Sequence, residues 1–277
     1  MKTDPKEAVR LYRKAADQNL AAAQLGLGSC YRYGNGVPID FKEAVKWFRK
    51  AAEQNHAEAQ NSLGYAYWSG EGVAKDFTES VKWYRLSAGQ KHAMAQFNMG
   101  NCYQEGEGVA RNDREAARWY RLAADQDHVQ AQNRLGVFQH QGRGMAKDMA
   151  EGVKWIRKAA EQDDAEAQFN LGTCYLKGEG VAEDAVEAVK WMRRAAEQDW
   201  NMAQFYMGMS HMQGDGVQRN QVEAYAWLNL AAAKSQLATR FFGELQKQIS
   251  PEQVAAGKKR AEELRAQIEA KLKSDGK

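Results

Sequence analysis

The sequence of 277 residues lacks the long apolar runs and the charge blocks that mark membrane and nucleic-acid-binding proteins. No stretch reaches the roughly 18 consecutive apolar residues that a membrane-spanning helix needs. The 39 basic and 36 acidic residues are interspersed and leave a formal net charge of only +3. Bulk charge therefore predicts neither nucleic-acid binding nor insertion into a membrane.

The first segment, MKTDPKEAVRLYRK, has no apolar core, so it is not expected to act as a secretory signal. We expect the chain as given to be cytoplasmic. A periplasmic or secreted location stays open, since expressed chains often begin after a removed signal peptide.

Cysteine is scarce, and its spacing argues against disulfides. Cys30, Cys102 and Cys174 are odd in number and lie 72 residues apart. A free cysteine packs as a small apolar side chain. We therefore expect buried, unpaired cysteines that occupy one recurring helix position.

Internal repetition is what the sequence has in abundance. Its tryptophans and many of its glycines recur every 36 residues without an insertion. The tryptophans in register are Trp47, Trp83, Trp119, Trp155, Trp191 and Trp227. They define six units, at about 21-56, 57-92, 93-128, 129-164, 165-200 and 201-236.

Each unit is predicted to begin with a helix, which we call helix A. In the second unit Ala59, Leu63 and Tyr67 lie four residues apart, which places them on one helix face. Gly70 and Gly72 then supply the positive-φ conformations of a helix end and a turn. The chain is expected to reverse direction there.

A second helix, helix B, is predicted after each turn. Its start is indicated by an acidic or amide N-cap with a glutamate three residues later, the spacing of a capping box. The pairs are Asp40/Glu43, Asp76/Glu79, Asn112/Glu115, Asp148/Glu151, Asp184/Glu187 and Asn220/Glu223. Behind the cap, paired alanines allow close helix packing, and the tryptophan of each unit is expected to fill gaps between helices.

A single helix pair cannot bury both of its faces, so the units are expected to stack. The predicted fold class is all-α, a right-handed α/α superhelical solenoid of 36-residue helix-turn-helix repeats. Residues 1-20 are interpreted as an N-terminal half-repeat, 21-236 as six repeats and 237-277 as C-terminal capping helices. Ser250 and Gln253 predict a capping box at the start of the last helix.

The unit A-E-A-Q-x-x-L-G-x-x-Y-x-x-G-x-G-V-x-x-D-x-x-E-A-V-K-W-x-R-K-A-A-E-Q resembles the bacterial Sel-one-like repeat, a relative of the tetratricopeptide repeat. The match covers about residues 4-236. One departure is systematic, because the glycine usual after A-A-E-Q is replaced by Asn19, Asn55, Lys91, Asp127, Asp163 and Asp199. Asparagine and aspartate tolerate a left-handed conformation, so Lys91 is the exception.

The resemblance implies that helix A lines a concave groove in which variable positions contact a protein or peptide partner. Aromatic and methionine side chains are favoured anchors at such surfaces. The predicted partner-binding residues are Tyr65, Trp68, Met94, Phe97, Asn101, Asn133, His140, Phe169 and Phe205. A competing interpretation of Met202, Phe205, Met209 and Met212 is that capping helices with Phe241 and Phe242 cover them.

Motifs of catalysis and metal binding are absent or misplaced. No H-E-x-x-H motif occurs, and His56, His92 and His128 recur one unit apart as turn residues, so no metal and no cofactor are predicted. The S-x-x-K pair of penicillin-binding enzymes occurs only as Ser274 with Lys277.

We therefore predict a protein-interaction scaffold without catalytic activity. What family members do suggests an immunity protein against a secreted toxin, or an adaptor at the envelope or the host interface. The alternative is a hydrolase that acts on cell-wall or lactam substrates.

Overall fold

The computed structural model describes residues 4–274, which form fifteen α-helices and, within that range, no strand. The all-α class and the 36-residue helix-turn-helix repeat are confirmed. The helices are α1 Pro5–Ala16, α2 Ala21–Tyr33, α3 Phe41–Glu53, α4 Ala57–Ser69, α5 Phe77–Gly89, α6 Ala93–Glu105, α7 Asp113–Ala124, α8 Val129–Gln141, α9 Met149–Glu161, α10 Ala165–Lys177, α11 Ala185–Ala196, α12 Asn201–Gln213, α13 Gln221–Ala232, α14 Gln236–Gln246 and α15 Pro251–Ser274.

The helices group into two compact units. The first unit runs to Ala131 and adds Arg143–Met145, and the second comprises Gln132–Gly142 and the described residues from Ala146 onward. Within the first unit each helix A packs on its own helix B and on the preceding one, as α4 does on α5 and α3. The same pairing continues in the second unit, where α13 also packs against α14 and α15. None of the helices within residues 4–274 combines the length and the apolar character of a membrane span.

The predicted N-caps of helix B are confirmed, but the capping box is only half formed. The Asp40 carboxylate accepts a hydrogen bond from the Glu43 N–H at 3.0 Å. The Asp40 N–H, however, donates to the Tyr31 carbonyl of the preceding helix A at 2.9 Å. Glu43 is therefore free to pair with Lys46, at 3.3 Å. The reciprocal half of the prediction is wrong for this helix, because the turn itself brings an acceptor to the N-cap.

The start of α15 forms the complete capping box. The Gln253 N–H donates to the Ser250 hydroxyl at 3.3 Å, and the Ser250 N–H donates to the Gln253 side-chain oxygen at 2.9 Å. No helix A carbonyl satisfies the Ser250 N–H, so the side chain of Gln253 serves as its acceptor. This capping box prediction is confirmed.

Two glycines of each turn serve different purposes. Gly70 ends α4 in the left-handed conformation, at φ +81°. At Gly72 an added Cβ would lie 2.2 Å from the Phe41 carbonyl oxygen, at the start of the preceding helix B. Only glycine allows so close an approach. The second glycine therefore seats each turn on the repeat before it.

The junction from helix B to the next helix A passes through one left-handed residue. Its members have φ between +59° and +66°, and Lys91 has φ +63° like Asn55. The Asn55 side-chain oxygen also accepts hydrogen bonds from Gln60 and Gln90, at 3.2 and 3.1 Å. A lysine offers no such acceptor. The turn thus survives at Lys91, but without the side-chain hydrogen bonds and with a steric cost.

The repeated tryptophans are not equally buried. Trp227 has no exposed surface, and Trp47, Trp155 and Trp191 are buried, as the sequence predicted. The indoles of Trp83 and Trp119 are only half-buried, so full burial does not extend to these two.

The three cysteines are free and buried, as predicted. Burial raises the pKa of Cys102 to about 12 and that of Cys174 to about 11. These thiols are therefore protonated at neutral pH and act as packing groups.

A row of buried glutamines, which the sequence reasoning did not anticipate, connects successive repeats. Gln60 is 2% exposed, and its amide donates to the Ala52 carbonyl at 3.2 Å. Its oxygen accepts from the Gln90 amide at 2.8 Å. The same step recurs as Gln54 to Gln24, Gln126 to Gln96, Gln162 to Gln132 and Gln198 to Gln168. We call these contacts the glutamine ladder.

Candidate protein-interaction surface

The first unit places an exposed tryptophan in a network of aromatic and charged side chains. Trp68 lies near the end of α4 and is 37% exposed. Its indole N–H donates to the Glu107 carboxylate at 2.6 Å, and its ring lies 5.7 Å from that of Tyr65. Tyr65 in turn lies under the Arg32 guanidinium, at 4.3 Å from the ring centroid, and Arg32 pairs with Glu71 at 3.0 Å. We call these five residues the Trp68 cluster.

The geometry of the Trp68 cluster follows from the repeat. Glu71 and Glu107 are the middle residues of successive Gly-x-Gly turns, and each reaches back to helix A of the previous repeat. The second glycine of the turn fixes where that middle residue lies. Trp68 is therefore held at its N–H while part of its ring faces solvent. A side chain fixed in this way loses little conformational entropy on binding, which favours an anchor role.

The neighbouring helix α6 carries three further predicted residues. Met94 is 45% exposed. Phe97 is half-buried and stacks on His128, with ring centroids 4.8 Å apart. Asn101 accepts a hydrogen bond from the Tyr120 hydroxyl at 2.8 Å. Met94 is thus open to contact, whereas Phe97 and Asn101 also support the packing of their own repeat.

The recurring histidines have a definite structural role. The Nδ1 atoms of His56, His92 and His128 accept hydrogen bonds from backbone N–H groups in the first turn of α4, α6 and α8, at 3.3–3.4 Å. Burial lowers the pKa of both His92 and His128. The neutral imidazole is therefore the capping form. Sequence reasoning interpreted these residues only as turn residues.

In the second unit the structure corrects one predicted contact residue on α8. Asn133 is 1% exposed, and its oxygen accepts from the Asn170 amide at 3.0 Å. Its side chain packs between two repeats and has almost no exposed surface, so the predicted exposure of Asn133 is wrong. His140 is half-buried, with its Nε2 atom 3.6 Å from the Glu179 carboxylate.

Phe205 requires the other correction. It is 8% exposed and lies 5.5 Å, centroid to centroid, from Phe241 of the capping helix α14. Met209 and Met212 pack against the same cluster, so the competing interpretation holds for these three residues. Phe169, by contrast, is half-buried at 5.7 Å from Tyr206, and Met202 remains 40% exposed.

Several residues of the surface were missed from sequence. Tyr33 is 62% exposed, and Arg32, Glu71 and Glu107 complete the Trp68 cluster. The signal was present, because the middle residue of the Gly-x-Gly turn varies between repeats while its flanking glycines do not. Such variation on a fixed frame is typical of a recognition position.

The described residues give little support to metal or nucleophile chemistry. Within residues 4–274 no group of three or more histidine, cysteine, aspartate or glutamate side chains could hold a metal ion. The Ser274 hydroxyl donates to the Lys271 carbonyl at the end of α15. Lys277, its predicted partner in the S-x-x-K pair, lies outside the described residues.

Comparison with known proteins identifies the family of this repeat. The Sel1 repeat family model matches residues 1–20, 21–56, 57–92, 93–128, 129–164, 165–200 and 201–235. The chain belongs to the Sel1 repeat family. Sel1 repeat proteins are protein-interaction scaffolds, and the Sel1 repeat fold is a non-catalytic scaffold fold.

Solved structures agree with this assignment. A Sel1 repeat protein from Oxalobacter formigenes is 34% identical, with a TM-score of 0.73 over 83% of this chain and 97% of that one. The protective antigen c5321 of uropathogenic Escherichia coli, which has an SLR fold, is 26% identical, with a TM-score of 0.51 over 98% of this chain and 82% of that one. No curated protein matches the chain in sequence.

Proposed function

We propose that this Sel1 repeat protein is a scaffold that binds a segment of a partner protein on the helix A side of its first unit. Trp68 is the central anchor of the proposed contact. The observation that carries the proposal is the exposed face of Trp68 combined with the hydrogen bond that fixes its indole N–H on Glu107. Tryptophan and arginine are the residue types most enriched among interface hot spots.

The surroundings of Trp68 suit a mixed apolar and polar contact. Tyr33 and Met94 add exposed apolar surface on the adjacent helices α2 and α6. Glu71 and Arg32 neutralise each other, so this part of the surface does not depend on a strongly charged partner. Polar groups at the rim of an apolar contact fix its orientation and exclude water.

Photo-crosslinking in cells of the source organism would test the proposal directly. A benzophenone amino acid replaces Trp68 in one variant and Leu86 in a matched control. Leu86 is 52% exposed but lies on the helix B α5. We expect a discrete crosslinked partner from position 68 that is absent from position 86.

Substitution of Trp68 by alanine measures how much this side chain contributes to partner binding. Trp68→Ala should remain folded, because the side chain is only partly buried, and should recover less of the crosslinked partner in a pull-down. Leu86→Ala should recover as much as the wild type. Undiminished recovery by a folded Trp68→Ala variant would remove Trp68 as the anchor.

The identity of the recovered partner decides the narrower role. We propose, from the sequence, either an immunity protein or an adaptor at the envelope or host interface. A secreted toxin as partner would favour the first, and an envelope or host protein the second. The alternative of a hydrolase acting on cell-wall or lactam substrates receives no support from the residues described above.

A further inference from the structure

The glutamine ladder has one incomplete step, at the C-terminal end of the repeats. Gln204 is 1% exposed, and its amide donates to the Ala196 carbonyl and to Asp199, at 3.4 and 3.1 Å. Gln60 and Gln168 have the same arrangement. Its side-chain oxygen, however, is buried and has no hydrogen-bond partner. A buried acceptor left in this state is costly.

The ladder step is incomplete because one position of this repeat holds a different residue from the other repeats. In five other repeats the donor is the amide of a glutamine 30 residues later, at 2.7–2.9 Å. The corresponding position after Gln204 holds Lys234. The Lys234 ammonium pairs with the Asp199 carboxylate and not with Gln204. A cation at this position therefore does not satisfy the buried oxygen.

A cavity of about 210 Å³ lies beside the incomplete step. Its volume far exceeds the roughly 10–15 Å³ that one water needs. Leu230 and Ile268 give it apolar walls beside Gln204. Its charged lining consists of two cations, Lys234 and Arg265, and two carboxylates, Asp199 and Glu269, so it carries no excess of either sign. It can therefore receive a group that has apolar methylenes and a polar end.

We propose that this cavity binds a side-chain carboxamide, that of a glutamine or asparagine in a partner segment. The carboxamide N–H donates to the Gln204 oxygen, as the ladder glutamines do elsewhere in the chain. The methylenes of the same side chain pack on Leu230 and Ile268. Lys234 is half-exposed, and an exposed ion pair contributes little, so its side chain swings aside to admit the ligand. The site is independent of the Trp68 cluster and of the function proposed for it.

Nuclear magnetic resonance on the full chain tests this site with two probes. N-acetyl-glutamine methylamide carries the carboxamide, and N-acetyl-glutamate methylamide has the same shape with a carboxylate that cannot donate. We expect the glutamine probe to shift the side-chain amide signals of Gln204 and to leave those of Gln168, a completed ladder step, unchanged. It should bind about tenfold more tightly than the glutamate probe, because only the former pairs the buried oxygen.

Two variants of Lys234 complete the test. Lys234→Gln supplies the missing donor to the Gln204 oxygen from the chain itself, so it should abolish the shifts caused by the glutamine probe. It should also melt at a higher temperature than Lys234→Met. Lys234→Met removes the ion pair without adding a donor and should still bind the probe. Equal binding of the two probes, absence of any shift at Gln204, or wild-type binding by Lys234→Gln would each overturn the proposal.

Discussion

Phe97 stacks on His128, and the same imidazole accepts the hydrogen bond that begins α8. The His128 ring thus contacts a residue of the candidate surface and also caps a helix. His92 makes the equivalent cap one repeat earlier, close to Glu58 and His56. Protonation of Nδ1 would turn these acceptors into donors and place a positive charge at a helix N-terminus, where it is unfavourable.

The first prediction is a loss of stability in mild acid. Burial lowers the pKa of His92 and His128 below the ordinary histidine value of about 6.5, so the unfolded chain binds more protons than the folded one in mild acid. Stability should be unchanged above about pH 6.5 and fall as the pH drops from there to the folded pKa values. Urea unfolding followed by circular dichroism at about pH 7.5 and about pH 5.5 measures the difference.

The matched control comes from the junction of the fourth and fifth repeats, where Asp164 caps α10 at 2.8 Å. A variant with both His92→Asp and His128→Asp keeps the caps but stays ionised over this pH range. Its stability should vary less with pH than that of the wild type. An equally steep loss in the variant would show that other groups carry the pH dependence.

The second prediction concerns Lys91. Lys91→Gly should stabilise the chain by about 1 kcal/mol, since it removes the steric cost of a left-handed β-carbon. Lys91→Asn should gain about as much or more, because its side-chain oxygen can accept from Gln96 and Gln126 as Asn55 does from its neighbours. Thermal melting of both variants checks the prediction. A lower melting temperature in either variant would contradict it.

The third prediction tests the glutamine ladder at Gln90, an exposed residue at which a substitution would ordinarily be expected to change stability little. Gln90 is exposed, yet Gln90→Met leaves the buried Gln60 oxygen without its donor. The cost should be about 1–3 kcal/mol. Gln18 occupies the same register position at the N-terminal end. Its side chain forms no hydrogen bond with any of residues 4–274, so Gln18→Met should cost almost nothing. Urea unfolding that shows equal effects would refute the ladder's contribution.

The fourth prediction separates the repeated tryptophans. Trp227→Ala should cost about 3–5 kcal/mol, because the indole is fully buried and its removal leaves a cavity. Trp119→Ala should cost less, since this indole is half-buried. The two free energies of unfolding, measured under the same conditions, should therefore differ. Equal losses would mean that exposure does not govern the contribution of this position.

The repeat could be predicted from the sequence because its determinants are local. Gly70 and the N-cap Asp40 act within a few residues, so their spacing is sufficient to locate a helix end and a helix start. The capping box failed at Glu43 because the acceptor for the Asp40 N–H comes from another helix. Local patterns do not reveal a contact of that kind.

The candidate surface was harder to predict for the same reason. Trp68 was identified from its variable position, but its partner Glu107 lies in the turn of the next repeat. Asn133 and Phe205 occupy the same helix position as Phe97, yet packing against Asn170 and Phe241 buries them. Register alone cannot distinguish these outcomes, since they depend on what the adjacent repeat presents.

The close contact of Gly72 with the Phe41 carbonyl limits how the length of such a gene can change. An insertion of a few codons within a repeat would lift the turn off that carbonyl and misalign every later contact. A duplication of all 36 residues would instead supply a new glycine and a new carbonyl together. Recombination can therefore add or remove whole repeats, and side chains such as Trp68 and Glu107 can then diverge without disturbing the frame that presents them.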